Sequence, residues 1–227
     1  MKISIVVPFY NEEQRMKPFL DTLLDYNNPD CEFIFVDDGS KDRTLGILKK
    51  YNFINKKIIS YKKNMGKGYA VKIGVLAAKG KYIIFIDADG SIHPFQIKNM
   101  LKYLKAYDIV VGTRAAKKSD VKVPLFRQLS GIAFNKYANF LFDINIDDTL
   151  CGFKGFRREA AMELFENLID SRWIFDVELF YKIREGNYSL YSMPIKWEYR
   201  GKSKMTLGDV AKMAATMLIL RIRLMKI

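Results

Sequence analysis

Five short apolar runs, Ile3–Val7, Phe33–Val36, Lys57–Ser60, Tyr82–Ile86 and Asp108–Val111, alternate with helix-patterned stretches over roughly Glu12–Tyr26, Arg43–Tyr51, Gly68–Ala78 and Pro94–Leu104. Runs this short, with little polar alternation, mark strands buried on both faces, as in a parallel sheet covered by helices. The alternation predicts an α/β fold: a doubly wound, mostly parallel sheet whose ligands lie outside the carboxyl ends of its strands. Four polar motifs fall at those ends: PFYNE after the first run, DDGSKD after the second, DADGS after the fourth and GTR after the fifth. The second half is less regular. It predicts a helix over Phe126–Phe142, an apolar-basic run DDTLCGFKGFRR, helices near Glu159–Leu168 and Phe175–Glu185, and strand-like Tyr188–Met193 and Ile195–Tyr199. This reading gives one domain over residues 1–206, with a smaller irregular α+β part at its end, followed by a helix over 207–227.

That last helix bears on membranes. Its uninterrupted apolar stretch, Met213 to Leu220, is well short of the ~20 residues that span a bilayer. Arg221, Arg223 and Lys226 flank it, so an amphipathic helix is expected, packed on the domain or lying on a membrane surface. The apolar start Ile3–Val7 is short and runs into a polar turn, so no signal peptide is expected. Cys31 and Cys151 form no metal-ligand spacing and read as buried thiols.

The 227 residues carry a formal net charge of +13, which suits an anionic partner, although a lysine-rich surface alone would give the same number. The positives are dispersed, with no basic helix, zinc pattern or aromatic RNA-binding strand, so nucleic acid is not the expected partner. Two nucleotide motifs are also excluded. No P-loop is present, and after Gly66 and Gly68 the next glycine is Gly74, which breaks the dinucleotide fingerprint.

Chemistry concentrates at Asp87-Ala88-Asp89. On an extended strand the two carboxylates share a face, and oxygen ligands so grouped suit Mg2+ or Mn2+, with Ser91 as a third ligand. Helix capping ahead of Pro94 is the competing explanation. Asp37 and Asp38 end the second run. Gly39 permits a tight turn there, and Ser40 or Asp42 can cap the next helix, but capping does not account for adjacent aspartates. Tyr10 and Glu12 offer a flat ring and an acceptor for a planar base.

VVPFYNEE, FVDDGSKDRT, NMGKGYAVKIG, IDADGS and VVGTR, in this order and spacing, resemble the family 2 inverting glycosyltransferases of the GT-A fold. DDTLCGFKGFRR, RWIFDVEL and WEYRGKSKMT are similar to segments of polyprenyl-phosphate glycosyltransferases, particularly the dolichyl-phosphate glucosyltransferase branch. The resemblance runs from Ile3 to about Thr206. It implies transfer of a hexose, glucose favoured and mannose next, from a nucleoside-diphosphate sugar (UDP-glucose favoured) to a polyprenyl phosphate, with inversion and a divalent metal. It implies roles as well: Pro8, Tyr10, Glu12, Val36 and Asp38 at the base and ribose, Lys67 on the donor side, and Asp87, Ala88 and Asp89 at the metal and diphosphate. Arg200, Lys202 and Lys204 fall in the diphosphate loop, Arg114, Arg127 and Ser130 at the acceptor phosphate, and Asp148 near the reaction centre. Asp148, Asp89, Arg114 and Arg127 thus make the expected catalytic set. The protein is expected to be cytoplasmic, peripheral at an anionic membrane surface. A relative that glycosylates a sugar hydroxyl is the alternative, and it would need Asp176 as general base.

Overall fold

A computed structural model describes residues 2–122, 125–198 and 207–225, with side chains undescribed at 121–129 and 207–211. The elements are β1 (Ile3–Phe9), α1 (Met16–Leu23), β2 (Cys31–Asp37), α2 (Thr44–Lys50), β3 (Lys56–Ser60), α3 (Lys67–Leu76), β4 (Tyr82–Ile86), α4 (Ile97–Leu104), β5 (Ile109–Thr113), β6 (Asp120–Lys122), α5 (Leu125–Phe142), β7 (Phe153–Arg157), α6 (Arg158–Glu166), α7 (Phe175–Glu185), β8 (Leu190–Pro194), β9 (Lys196–Glu198) and α8 (Leu207–Leu224). The main sheet has the order β3-β2-β1-β4-β7-β5-β8, and β6 pairs with β9 apart from it. Every pairing in the main sheet is parallel except those of β7, which runs antiparallel between β4 and β5.

The central strands β1, β2, β4 and β5 are largely apolar because both sheet faces are covered there, whereas the edge strands β3 and β8 carry Lys56, Lys57, Ser60 and Ser192 and are only partly buried. Val6, Phe85, Val111 and Phe156 face α3, α5, α6 and α7, while Ile5, Ile84 and Val110 face α1 and α4. Met213, Met217 and Leu220 bring α8 onto the first of these faces. The chain leaves β1 towards β2 and β3 on one side, and β4 lies on the other. Strand order therefore reverses between β1 and β4, and the crevice of an open α/β sheet opens at such a point.

Two local expectations are corrected. The first helix begins at Met16 rather than Glu12, because residues 11–15 form a turn tied to the next loop. Asn11 N–H donates to Ser40 Oγ, Glu12 N–H to Thr44 Oγ1, and Glu13 N–H to Asp42 Oδ2. Within DDTLCGFKGFRR lies a full strand, β7, with Phe153 opposite Ile86 and Lys154 opposite Phe85. A lysine at its centre hides the strand pattern, since a charge inside a buried strand is stable only with a partner from elsewhere in the fold.

Candidate functional site

The carboxyl ends of β1, β2, β4 and β5 gather the polar motifs. At the end of β2, both aspartates have internal partners. Asp37 accepts from Ser40 N–H at 3.2 Å and from the Ser60 hydroxyl at 2.9 Å. Asp38 gathers the loop ahead of α3, accepting from Met65 N–H at 2.7 Å, Gly66 N–H at 3.0 Å and the Asn64 amide at 2.7 Å. These bonds explain the adjacent aspartates that capping does not. Asp42 Oδ1 accepts the Thr44 N–H at 2.9 Å, while Ser40 is turned to Asn11 instead of capping α2.

Gly66 has φ +106°, and a Cβ there would collide with the Ser171 carbonyl. Only glycine lets this loop meet the 170–172 segment, where Gly68 and Tyr69 N–H groups donate to Arg172 and Ser171. The loop thereby fixes the start of α3 and its first residue, Lys67.

β4 ends at Ile86, so Asp87 and Asp89 lie beyond the strand. They sit in the turn that follows, which closes at Gly90, φ +72°, so strand pleating does not set their relation. Asp87 N–H donates to the Gly152 carbonyl. A Cβ on Gly152 would overlap the Asp87 carboxylate, so glycine at 152 is what lets that side chain lie where it does. Asp89 Oδ1 accepts the Ser91 N–H at 2.9 Å. Ser91 is buried and orients Asp89 through its backbone.

Ion pairs organise the centre. Arg15 donates from Nε and Nη2 to the two Glu12 oxygens at 2.9 and 2.7 Å. Lys67 Nζ lies 2.8 Å from Asp87 Oδ1 and 2.9 Å from Oδ2. Arg114 donates to Asp148 from its backbone N–H and Nε, both at 2.8 Å, and from Nη2 at 2.6 Å, with Trp197 stacked 5.4 Å from the guanidinium. Lys154 Nζ reaches Asp176 Oδ1 at 2.7 Å. Among the described residues, Glu12, Asp87, Asp148 and Asp176 each pair with a cation, whereas no cation lies within ion-pair distance of Asp89.

These charges feel one another. Burial pushes the Asp87 carboxyl above its ordinary range; Lys67 opposes the shift and Asp89 reinforces it. Burial works against the Lys67 ammonium, but Asp87, Asp176 and Asp89 outweigh it and hold Lys67 above its usual value. For Arg114, too, the hydrogen bonds and charge of Asp148 outweigh burial. Burial pushes the Cys31 and Cys151 thiols up to about 12, so both are protonated, inert thiols at neutral pH.

The residues fit a hard divalent cation. Asp87 and Asp89 supply only oxygen donors, and the Lys67 ammonium already sits across the Asp87 carboxylate as a positive stand-in. Among the described residues no third His, Cys, Asp or Glu completes the group, so a diphosphate and water would fill the rest of the shell.

Other predicted residues divide. Pro8 and Tyr10 are partly exposed at the end of β1. Ala88 is buried in the core cluster beside α4, and Val36 in the other, so neither methyl group faces solvent. Ser130 is partly buried on α5. The Arg127 side chain, and Arg200, Lys202 and Lys204, lie outside the described residues. Asp176, the expected base of the alternative reading, is 2% exposed and held by Lys154. Glu178 is fully buried and accepts from the Ile169 and Asp170 N–H groups. Sequence reasoning missed Arg15, Gly152 and Lys154. The signal for Arg15 was its i,i+3 spacing from Glu12; Lys154 and Gly152 had only an anomalous lysine and glycine in an apolar run.

The family model described as glycosyl transferase family 2 matches residues 4–165. A dolichyl-phosphate beta-glucosyltransferase of Trichomonas vaginalis is 38% identical over 231 residues, covering 93% of this chain and 68% of the relative. The dolichyl-phosphate beta-glucosyltransferase of Homo sapiens is 34% identical over 244 residues, covering 98% of this chain and 75% of the relative. Among solved structures, glucosyl-3-phosphoglycerate synthase from Mycobacterium tuberculosis in complex with Mn2+, UDP and phosphoglyceric acid superposes with a TM-score of 0.68 at 20% identity, over 97% of this chain and 78% of that one. Staphylococcus aureus TarS 1–349 in complex with UDP-GlcNAc gives 0.61 at 20% identity, over 96% and 67%. At that identity the likeness is one of fold, and it bears out the GT-A expectation.

Proposed function

This chain belongs to glycosyl transferase family 2, and we propose that it moves glucose from UDP-glucose onto the phosphate of a dolichyl-type polyprenyl lipid, with inversion. The observation that carries this reading is the constellation at the β1/β4 crevice: two carboxylates on one turn, Asp89 without a cation of its own, and an arginine at the end of β5. The names of the most similar curated relatives supply the sugar and the lipid.

Transfer forms a bond from an acceptor phosphate oxygen to the anomeric carbon as the bond to the nucleoside diphosphate breaks. The attacking oxygen is already anionic, so no side chain has to remove a proton, and the burial of Asp176 against Lys154 agrees with that chemistry. A divalent ion, Mg2+ or Mn2+, held by Asp87 and Asp89 would neutralise the departing diphosphate. Pro8, Tyr10 and Glu12 flank the base and ribose. Val36 and Asp38 act indirectly, Val36 through its backbone and Asp38 by shaping the loop before Lys67. Arg200 and Lys204 assist at the diphosphate. Arg114, Arg127 and Ser130 align the acceptor phosphate, and Asp148 acts as a positioning residue by orienting Arg114.

The protein, incubated with Mn2+, a panel of nucleotide sugars and a short polyprenyl phosphate, is expected to yield hexosyl-phosphoryl-polyprenol from UDP-glucose, identified by mass. Product on a free sugar hydroxyl and none on the lipid phosphate would overturn the reading.

The lipid acceptor places the reaction at a bilayer, at the cytoplasmic face in this reading. Among the described residues no helix is long and apolar enough to cross a membrane. The inner stripe of α8 is buried, but Leu218, Ile219, Ile222 and Met225 form an outer stripe 48–71% exposed. Lys212 and Arg223 lie exposed on the same helix. An apolar stripe edged by cations suits an anionic bilayer surface. α8 packs against α5, whose first turns carry Arg127 and Ser130. An Ile219→Asp/Ile222→Asp variant is expected to lose sedimentation with phosphatidylserine vesicles while keeping its melting temperature. Undiminished sedimentation would remove α8 from that role.

A further inference from the structure

We infer that Lys67 is the resident cation of Asp87, and that its ammonium must leave that carboxylate, for the donor's diphosphate, before a divalent ion can take the position. The inference rests on the reading that Asp87 and Asp89 hold the metal. It starts from one geometric fact: Lys67 Nζ contacts both Asp87 oxygens, at 2.8 and 2.9 Å, and so occupies the carboxylate face a metal would use.

The two partners differ in their freedom to move. The Asp87 backbone is held by its N–H bond to the Gly152 carbonyl, and its short side chain, with two rotatable bonds, packs against Gly152. The Lys67 backbone is equally fixed, since Asp38 holds Met65 and Gly66, and the 170–172 segment holds Gly68 and Tyr69. The greater freedom lies in the lysine side chain, a flexible four-carbon stem ending in a point charge. Exchange at this site is therefore a swing of Lys67, with Asp87 as the less mobile half.

The swing makes metal and nucleotide interdependent. With no nucleotide, an entering cation would push the ammonium of a mostly buried lysine side chain, 16% exposed, off its only ion-pair partner among the described residues and leave it beside another positive charge. A diphosphate gives the displaced ammonium a new anion. Metal should then bind weakly to the free protein and tightly to the nucleotide complex, and the nucleotide should gain equally from the metal.

Mn2+ binding, followed by electron paramagnetic resonance at neutral pH, tests this without turnover. It is measured with and without saturating UDP, after subtracting the Mn2+ that UDP holds in solution. In the wild type, UDP is expected to tighten Mn2+ by tens of fold. In Lys67→Met the free protein should bind Mn2+ about tenfold more tightly than wild type, and the gain from UDP should shrink by about the same factor, leaving the part that the diphosphate supplies as a direct ligand; both changes lie within the usual range of coupling between sites. Lys67→Arg, which keeps the charge, should behave as wild type. Should Lys67→Met melt early, Lys67→Gln, which can still donate to Asp87, carries the same expectation. Equal or weaker Mn2+ affinity in the free neutral variants, or an unchanged gain from UDP, overturns the inference alone. Failure of the wild type to bind Mn2+ even with UDP overturns the metal reading with it.

Discussion

Replacing Asp89 with alanine is expected to abolish Mn2+-dependent binding of UDP and to lower glucosyl transfer about a thousandfold, comparable to losing one preorganised group that stabilises departing charge. Folding should survive intact. The Asp89 carboxylate accepts one backbone N–H, from Ser91 in its own turn, and it raises the cost of ionising Asp87 nearby. Its charge favours the Lys67 ammonium but opposes the Asp87 carboxylate, so its effects on the folded state oppose one another. Titration calorimetry with UDP, with and without Mn2+, and a thermal melt are the two measurements. Wild-type affinity in both titrations would remove Asp89 from the metal site, and with it the assignment of the crevice. Asp87→Ala is a poorer test, because it also strips Lys67 of its partner.

The second large effect concerns stability. Lys154→Met is expected to cost about 3–5 kcal/mol, the usual penalty for breaking a buried ion pair from one side. Lys154 is fully buried and donates to the Thr149 and Cys151 carbonyls at 3.1 and 2.7 Å and to Asp176 at 2.7 Å. Its ammonium lies 5.4 Å from the Phe85 ring centre and 5.2 Å from that of Phe180. Methionine nearly matches its shape, so the loss would be electrostatic: a carboxylate and two carbonyls left without their donor. Urea unfolding measures it. The double variant Lys154→Met/Asp176→Leu should recover part of the loss, since neither charge of this pair then remains, although the Thr149 and Cys151 carbonyls still lack their donor. The same pair separates the two chemical readings. If Asp176 serves the fold, Asp176→Asn lowers stability first. An Asp176→Asn protein as stable as wild type but devoid of transfer would restore Asp176 as a base and a hydroxyl as the acceptor.

Much of the architecture was legible beforehand because it depends on short-range pattern. β1, β2, β4 and β5 have apolar runs that end in polar clusters, and a covered parallel sheet is the arrangement that buries such runs on both faces. β7 was not legible. Its lysine and glycine break the pattern, and its place between β4 and β5 depends on pairing with residues far away in the chain. The site divided in the same way. Asp87 and Asp89 do lie at the carboxyl end of β4, but beyond the strand, so the pleat that the alternation implied does not set their relation. For Asp38, which the resemblance puts at the base and ribose, the structure adds that its oxygens gather residues 64–66.

The amino-acid order by itself determined that β1 to β5 are strands, which of their ends carry carboxylates, and that a positive species must meet them. Only the tertiary structure decided which cation serves which acid. Lys67 and Asp87 are 20 residues apart, Lys154 and Asp176 are 22, and Arg114 and Asp148 are 34. Periodicity acts over a few residues through backbone geometry, whereas a buried charge selects its partner by distance in space, and that distance exists only once the sheet has formed.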